Sequence, residues 1–210
     1  MDLLNSGVVQ ALPILSRVIT TRLRTETSAI HRQMEDRINM EKRLCSSADY
    51  LNLLELFWGL YVALEPRLAA LIQGQAWPLE WESREKLRLL EKDLHAMGLA
   101  HARIAGLPVC DQLPSLATPG RVLGVLYVLE GSTLGGQQIS KMIQQKLGLG
   151  SSDGAAFFNG YGAETGAMWK KFGVVLTAGA SEVSIEDEII AAAKETFETF
   201  ENWLCPPHAT

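Results

Sequence analysis

The sequence predicts an all-α fold, and three observations carry that prediction. Apolar residues recur at steps of three and four along most segments, no stretch alternates apolar and polar residues convincingly, and Gly or Pro clusters fall between the periodic segments. With 210 residues, 47% of them hydrophobic and 20% charged, the chain suits one globular domain over residues 1–210, and a disordered or fibrous class is excluded. Residues 1–20 are read as a partly ordered amino-terminal extension of that domain.

The first helix carries Leu23, Thr27, Ile30, Met34 and Ile38 at helical spacing. The second runs from about Ala48 to Ile72; the cluster SSAD supplies cap-forming side chains at its start, and IQGQAWP ends it. A third covers Glu80 to Met97, with Leu87, Leu90, Leu94 and Met97 in register, and stops at Gly98. Pro108, Pro114 and Pro119 punctuate the loop GLPVCDQLPSLATPG, after which a helix pair is expected. Beyond the Gly-rich connection GLGSSDGAAFFNGYG, helices are expected over Glu164 to Thr177 and Ser184 to Leu204, the latter through Ile185, Ile189, Phe197 and Phe200.

Bulk properties narrow the function. A net charge of -5 gives no general attraction to nucleic acid. Cys45, Cys110 and Cys205 are odd in number and lack C-x-x-C spacing, so neither a disulfide framework nor a thiolate metal site is encoded, and a reducing cytoplasm fits. Glu65 and Arg67 break the longest apolar run, LFWGLYVALEPRLAALI, well short of the ~20 residues of a membrane span. The amino terminus opens on Asp2 rather than a basic region and shows no small-residue cleavage pattern, so no secretory signal is expected.

The segment LEGSTLGGQQISKMI sets three glycines in a helical context, at an intrinsic cost of about 3 kcal/mol against alanine. On a helix Gly131 lies above Gly135 and Ser132 above Gly136, which makes one smooth strip where a helix, a flat ligand or a reacting group can approach the backbone. A bend there is also expected. Close helix packing is the plain alternative. A phosphate-binding loop fits poorly, because Gln137 follows where Lys and then Ser or Thr are wanted, and GSTLGG lacks a G-x-G start.

His31 shares a stripe with Thr27, Met34 and Ile38, on or beside the side that faces the core. His95 and His101 flank the end of the third helix and His208 sits in a Pro-rich tail, where solvent is expected. One turn after His31 comes Glu35, and seven residues before it comes Arg24, about 10 Å away along the axis. A neutral imidazole can bind iron through one nitrogen while the other donates to a carboxylate, a role open to Glu35. The alternatives are a satisfied core histidine and two solvated flanking charges.

In that order and separation, LRTETSAIHRQMED, LYVALEPRL and LEGSTLGGQQISKMI resemble the heme oxygenase family, most closely its soluble bacterial branch, over roughly Leu23 to Lys171. The resemblance implies a helical fold that clamps heme between a proximal and a glycine-rich distal helix. It assigns His31 as the axial ligand of the heme iron and Gly131, Ser132, Gly135 and Gly136 to the catalytic distal face. It implies cleavage of heme to biliverdin with release of carbon monoxide and ferrous iron, using dioxygen and electrons from a ferredoxin or a reductase. Arg24, Glu35, Tyr127, Lys141, Lys170 and Lys171 are the further heme contacts it suggests, the basic ones toward the propionates.

Ser132 stands where mammalian relatives carry an Asp that organises water, so the proton route here is left open. The ending LCPPHAT lacks the hydrophobic tail of the mammalian enzymes, and the resemblance therefore implies an enzyme free of the membrane. Arg22, Arg24, Lys141 and Lys146 are expected to form a basic docking surface for an acidic electron donor, and a bilin-binding photoreceptor is a possible recipient of the product. Competing readings are a carrier or sensor that keeps heme intact, a thiaminase-like enzyme with a pocket Cys, and a di-iron enzyme with several converging Glu and His ligands.

Overall fold

The computed structural model describes residues 7–205, with side chains from residue 19 onward. Its elements are the helices α1 (Gly7–Ile38), α2 (Met40–Arg43), α3 (Ser47–Gln73), α4 (Leu87–Ala96), α5 (His101–Ala105), α6 (Pro119–Leu147), α7 (Ala156–Asn159), α8 (Thr165–Gly179) and α9 (Val183–Leu204), and no strand occurs among the described residues. The all-α prediction therefore stands. Helix α1 already runs through much of the segment read as an extension, while residues 1–6 and the tail with His208 lie outside the described residues.

Local chemistry accounts for most boundaries. Asn39, in the left-handed conformation at φ 50°, closes α1 and caps α2, its side-chain oxygen accepting from the Lys42 amide at 3.2 Å. Ser46 Oγ accepts from the Asp49 amide at 3.1 Å and opens α3, as the SSAD cluster predicts. Thr118 Oγ1 accepts from the Arg121 amide at 3.2 Å with Pro119 in the first turn of α6, and Gly148 ends that helix at φ 73°.

Two boundaries differ from expectation because distant side chains set them. The expected helix over 80–97 is a 3-10 turn at Trp81–Ser83 followed by α4, which starts only at Leu87. Buried Glu65 of α3 accepts from the Lys86 and Leu87 amides at 2.5 and 3.0 Å, satisfying donors that a helix start leaves orphaned. Asp93 of α4 does the same for α7, accepting from the Ala156 and Phe157 amides at 2.8 and 2.7 Å inside what was read as a connection. Burial pushes both carboxyls above their usual range, against the pull of these amides.

Where a helix pair was expected after the Pro-rich loop, α6 is one helix of 29 residues that stays helical through all three glycines of the strip. It packs on α8 and α9, and α1 packs on the same two helices. Fully buried Leu23, Leu54, Phe172 and Ile189 fill the interior between them. No described helix is long and apolar enough to cross a membrane, and all three thiols are free.

Candidate active site

A cleft of about 360 Å³ opens between α1 and α6 and is floored by α3, α7 and α9. Its size is that of a small-molecule site. Met34 and Ile38 of α1, Ile139 and Met142 of α6, Phe57 of α3 and Phe200 of α9 give it largely apolar walls. Polar groups enter at few points: His31 and Glu35 on one side, Ser132, Thr133 and Gln138 on the other, with Tyr61 and Lys86 at depth.

His31 is half exposed and lies at this cleft, while Thr27 and Ile38 of the same stripe are buried. Its ring stacks on Phe197 at 4.9 Å, and its Nε2 lies 3.2 Å from Glu35 Oε1. One nitrogen thus has an acceptor for its proton while the other of a neutral ring keeps its lone pair, the arrangement a metal-ligating imidazole needs.

Across the cleft the glycines of α6 separate into two kinds. A Cβ on Gly135 would meet nothing within 4 Å, so its backbone is bare toward the cleft. A Cβ on Gly131 would be in ordinary contact with Trp169 at 3.8 Å. A Cβ on Gly136 would lie 2.8 Å from the Phe158 carbonyl oxygen, so this glycine admits α7 as well as lining the cleft. The plain packing alternative holds for that position. Ser132 donates to the Leu129 carbonyl at 2.8 Å and lies near Tyr61, whose hydroxyl burial holds well above its usual range.

The other residues expected at the site lie outside the cleft lining. Arg24 is exposed, Tyr127 is half-buried, and neither lines the cleft. Lys141 and Lys170 are exposed and outside its lining, and Lys171 sits 3.9 Å from Glu80. The expected basic docking surface is partly neutralised: Arg22 pairs with Glu186 at 2.6 Å and Asp187 at 2.7 Å, and Lys146 pairs with Glu41. Those carboxylates are distant in sequence, which is why the basic residues read as a patch.

Sequence reasoning missed a buried polar network behind the distal glycines. Arg84 Nη1 donates to Glu130 Oε2 at 2.5 Å, and Tyr161 OH donates to Glu130 Oε1 at 2.8 Å. Lys86 Nζ donates to the Arg84 carbonyl at 2.8 Å and lies 3.5 Å from the centre of the Tyr161 ring. Burial pushes the Lys86 ammonium down to about 8, although Glu130 and Glu65 pull the other way. Burial likewise raises Glu130, against the stabilising charges of Arg84 and Lys86. The sequence does carry a signal: Glu130 is a charge inside the apolar run RVLGVLYVLEG, and Arg84 and Lys86 fall in a stretch where helix periodicity fails.

Comparisons with known proteins agree with this geometry. The family model described as heme oxygenase matches residues 17–205. The heme oxygenase of Xanthomonas campestris pv. campestris (strain 8004) is 30% identical over 125 residues, 59% of this chain and 70% of that protein. Among solved structures, the NO- and CO-bound heme oxygenase of Neisseria meningitidis superposes with a TM-score of 0.75 at 24% identity, covering 89% of each chain. The heme oxygenase of Leptospira interrogans gives 0.74 at 18% identity, covering 90% of this chain and 99% of that one. At those identities the two structures speak for the fold, and the family match speaks for descent: this chain belongs to the heme oxygenase family.

Proposed function

We propose that the cleft between α1 and α6 binds heme and that the chain opens it to biliverdin, with release of carbon monoxide and ferrous iron. The observation that carries the reading is that His31 and the bare backbone of Gly135 line the same cleft. The residues present fit the group: a flat apolar macrocycle suits the Met, Ile and Phe walls, and a neutral imidazole oriented by Glu35 suits its iron. Bound heme supplies the redox chemistry and is itself the ring that is cut.

The chain's own residues bind, orient and hold protons. His31 would hold the heme iron, and Glu35 would fix the tautomer of its ring. Gly131, Ser132, Gly135 and Gly136 form the distal face, where a side chain at 135 would take the space the reaction needs. Arg24, Tyr127, Lys141, Lys170 and Lys171 lie outside the cleft lining and are the candidate further contacts, the basic ones toward the propionates, with Lys141 next in sequence to cleft-lining Met142.

Ser132 lacks the charge of a carboxylate, so the acid of this site lies deeper. Lys86 Nζ, a cleft-lining ammonium that burial pushes down to about 8, holds a proton beside Tyr161, and the Tyr61 and Ser132 hydroxyls, which line the same cleft, are the groups through which that proton would reach the distal face. Electrons come from a ferredoxin or a reductase, and biliverdin passes to a bilin-binding photoreceptor. The free thiols fit a cytoplasmic setting, and residues 1–210 act as one domain.

The test is to titrate hemin into the purified chain, then add a reductant in air. A saturable one-to-one Soret band that gives way to bilin absorption is the expected result, and His31→Ala shifts that Soret band and slows the loss of heme. A Soret band that persists through reduction in air makes the protein a carrier. Absence of any saturable band ends the reading.

A further inference from the structure

We infer that Glu91, His95 and His101 form a binding site for a divalent transition cation of the zinc class, on the surface formed by α4 and α5. Glu91 and His95 stand four residues apart on α4 and so share a face, and His101 opens α5 after the turn at Gly98. One ligand atom from each lies within 4.8 Å of the others, and this is the one such group of three His, Cys, Asp or Glu donors among the described residues. The two rings lie nearly parallel, 20° apart, with centroids separated by 6.4 Å.

Two details favour a ligand set over a chance meeting of solvated side chains. His95 Nδ1 is 2.8 Å from the Leu99 carbonyl, an oxygen that only accepts, so the proton of the neutral ring stays on Nδ1 and the lone pair is left on Nε2. His101 Nδ1 is 3.6 Å from Glu91 Oε1, so the carboxylate already meets one of the two imidazoles. Zinc held by bonds of about 2.0–2.2 Å needs ligand atoms about 3.4 Å apart in a tetrahedron. The His101 side chain, 79% exposed, is free to rotate toward that spacing.

Two imidazoles and one carboxylate, with a position left for water, suit zinc or nickel better than calcium or magnesium, whose ligands are oxygens. Occupation ties the end of α4 to α5. Asp93, on the same turn of α4, holds the first amides of α7, so the metal also steadies the helix whose Phe157 and Phe158 line the cleft.

The experiment is a zinc titration of the full chain, followed by calorimetry and by the ring-nitrogen NMR signals of its four histidines. One-to-one binding is expected to shift His95 and His101 while His31 and His208 stay in place. His95→Ala and His101→Ala each weaken binding at least about tenfold, and Glu91→Gln weakens it less. Both histidines are exposed, so these variants keep the fold, and unchanged thermal melts verify it. Movement of His31 or His208 instead, or a loss under twofold in the His95→Ala/His101→Ala double variant, overturns the site.

Discussion

The two halves of α6 spend glycine on different things. In the first half a Cβ on Gly124 would lie 2.2 Å from the Ile189 carbonyl oxygen and 2.7 Å from Ala192 Cβ, so this glycine exists to let α9 come close. In the second half a Cβ on Gly135 would meet nothing within 4 Å, and what it faces is the cleft. Each costs about 1 kcal/mol of helix propensity. Packing against α9 returns that cost at Gly124, whereas no intramolecular contact returns it at Gly135. Glu130, held by Arg84 and Tyr161, fastens the helix between the two regimes. The same residue type on one helix thus marks a fold constraint at one end and a binding constraint at the other.

The sharpest way to break that contrast is Gly124→Ala. Because the blocking atoms include backbone, no rotamer change relieves the clash, and overpacking of this kind costs about 3 kcal/mol, with a fall of roughly 6–12 °C in melting temperature. Thermal unfolding of the heme-free chain checks it. A loss under 1 kcal/mol would mean that α6 and α9 slide apart freely and that the first half of α6 is no packing device.

Gly135→Ala is expected to move the other way. The heme-free protein gains about 1 kcal/mol from helix propensity, a rise of roughly 2–4 °C, while heme affinity falls about tenfold because the methyl group enters the cleft. Denaturation and hemin titration of the same variant measure the two signs. A variant that gains stability and keeps its heme affinity removes Gly135 from the binding face.

The sequence alone cannot make this distinction. Its glycine strip was legible as a place of close approach, and the pairing of that strip with an early His helix was legible through resemblance. What approaches each glycine depends on atoms from Ile189 and Phe158, far along the chain. Helix existence was legible for the same reason that some boundaries were not. Apolar periodicity and the Ser46 and Thr118 caps are local, whereas the starts of α4 and α7 are set by Glu65 and Asp93 on other helices. The residues showed His31 only as a member of a stripe, and the resemblance alone made it a site residue, since Phe197, on which its ring stacks, comes from α9. Of the distal network Glu130, a charge inside an apolar run, left the plainest signal, because Arg84 and Lys86 look like surface charges until their partners are in place.

Lys86 offers the finest test of the cleft half, because it lines the cleft and not the α9 seam. An unfolded chain keeps a lysine proton to near pH 10.4, whereas burial makes the folded chain release it near 8. Between those values the unfolded state binds more protons, so stability contributed by this group rises with pH and is lost as pH falls through about 8. Wild type is expected to gain about 1 kcal/mol over Lys86→Met from pH 8 to about pH 9, read by denaturant unfolding below the range where unfolded tyrosines ionise. Turnover runs in the opposite sense, since the ammonium form carries the proton: the wild-type rate falls with a midpoint near 8, and Lys86→Met is slower and flat across that range. Opposed slopes for stability and turnover in one protein, both erased by one substitution, separate a proton-holding lysine from one that merely fills space beside Tyr161. Parallel slopes, or a midpoint that survives Lys86→Met, would assign the proton to another group of the distal face.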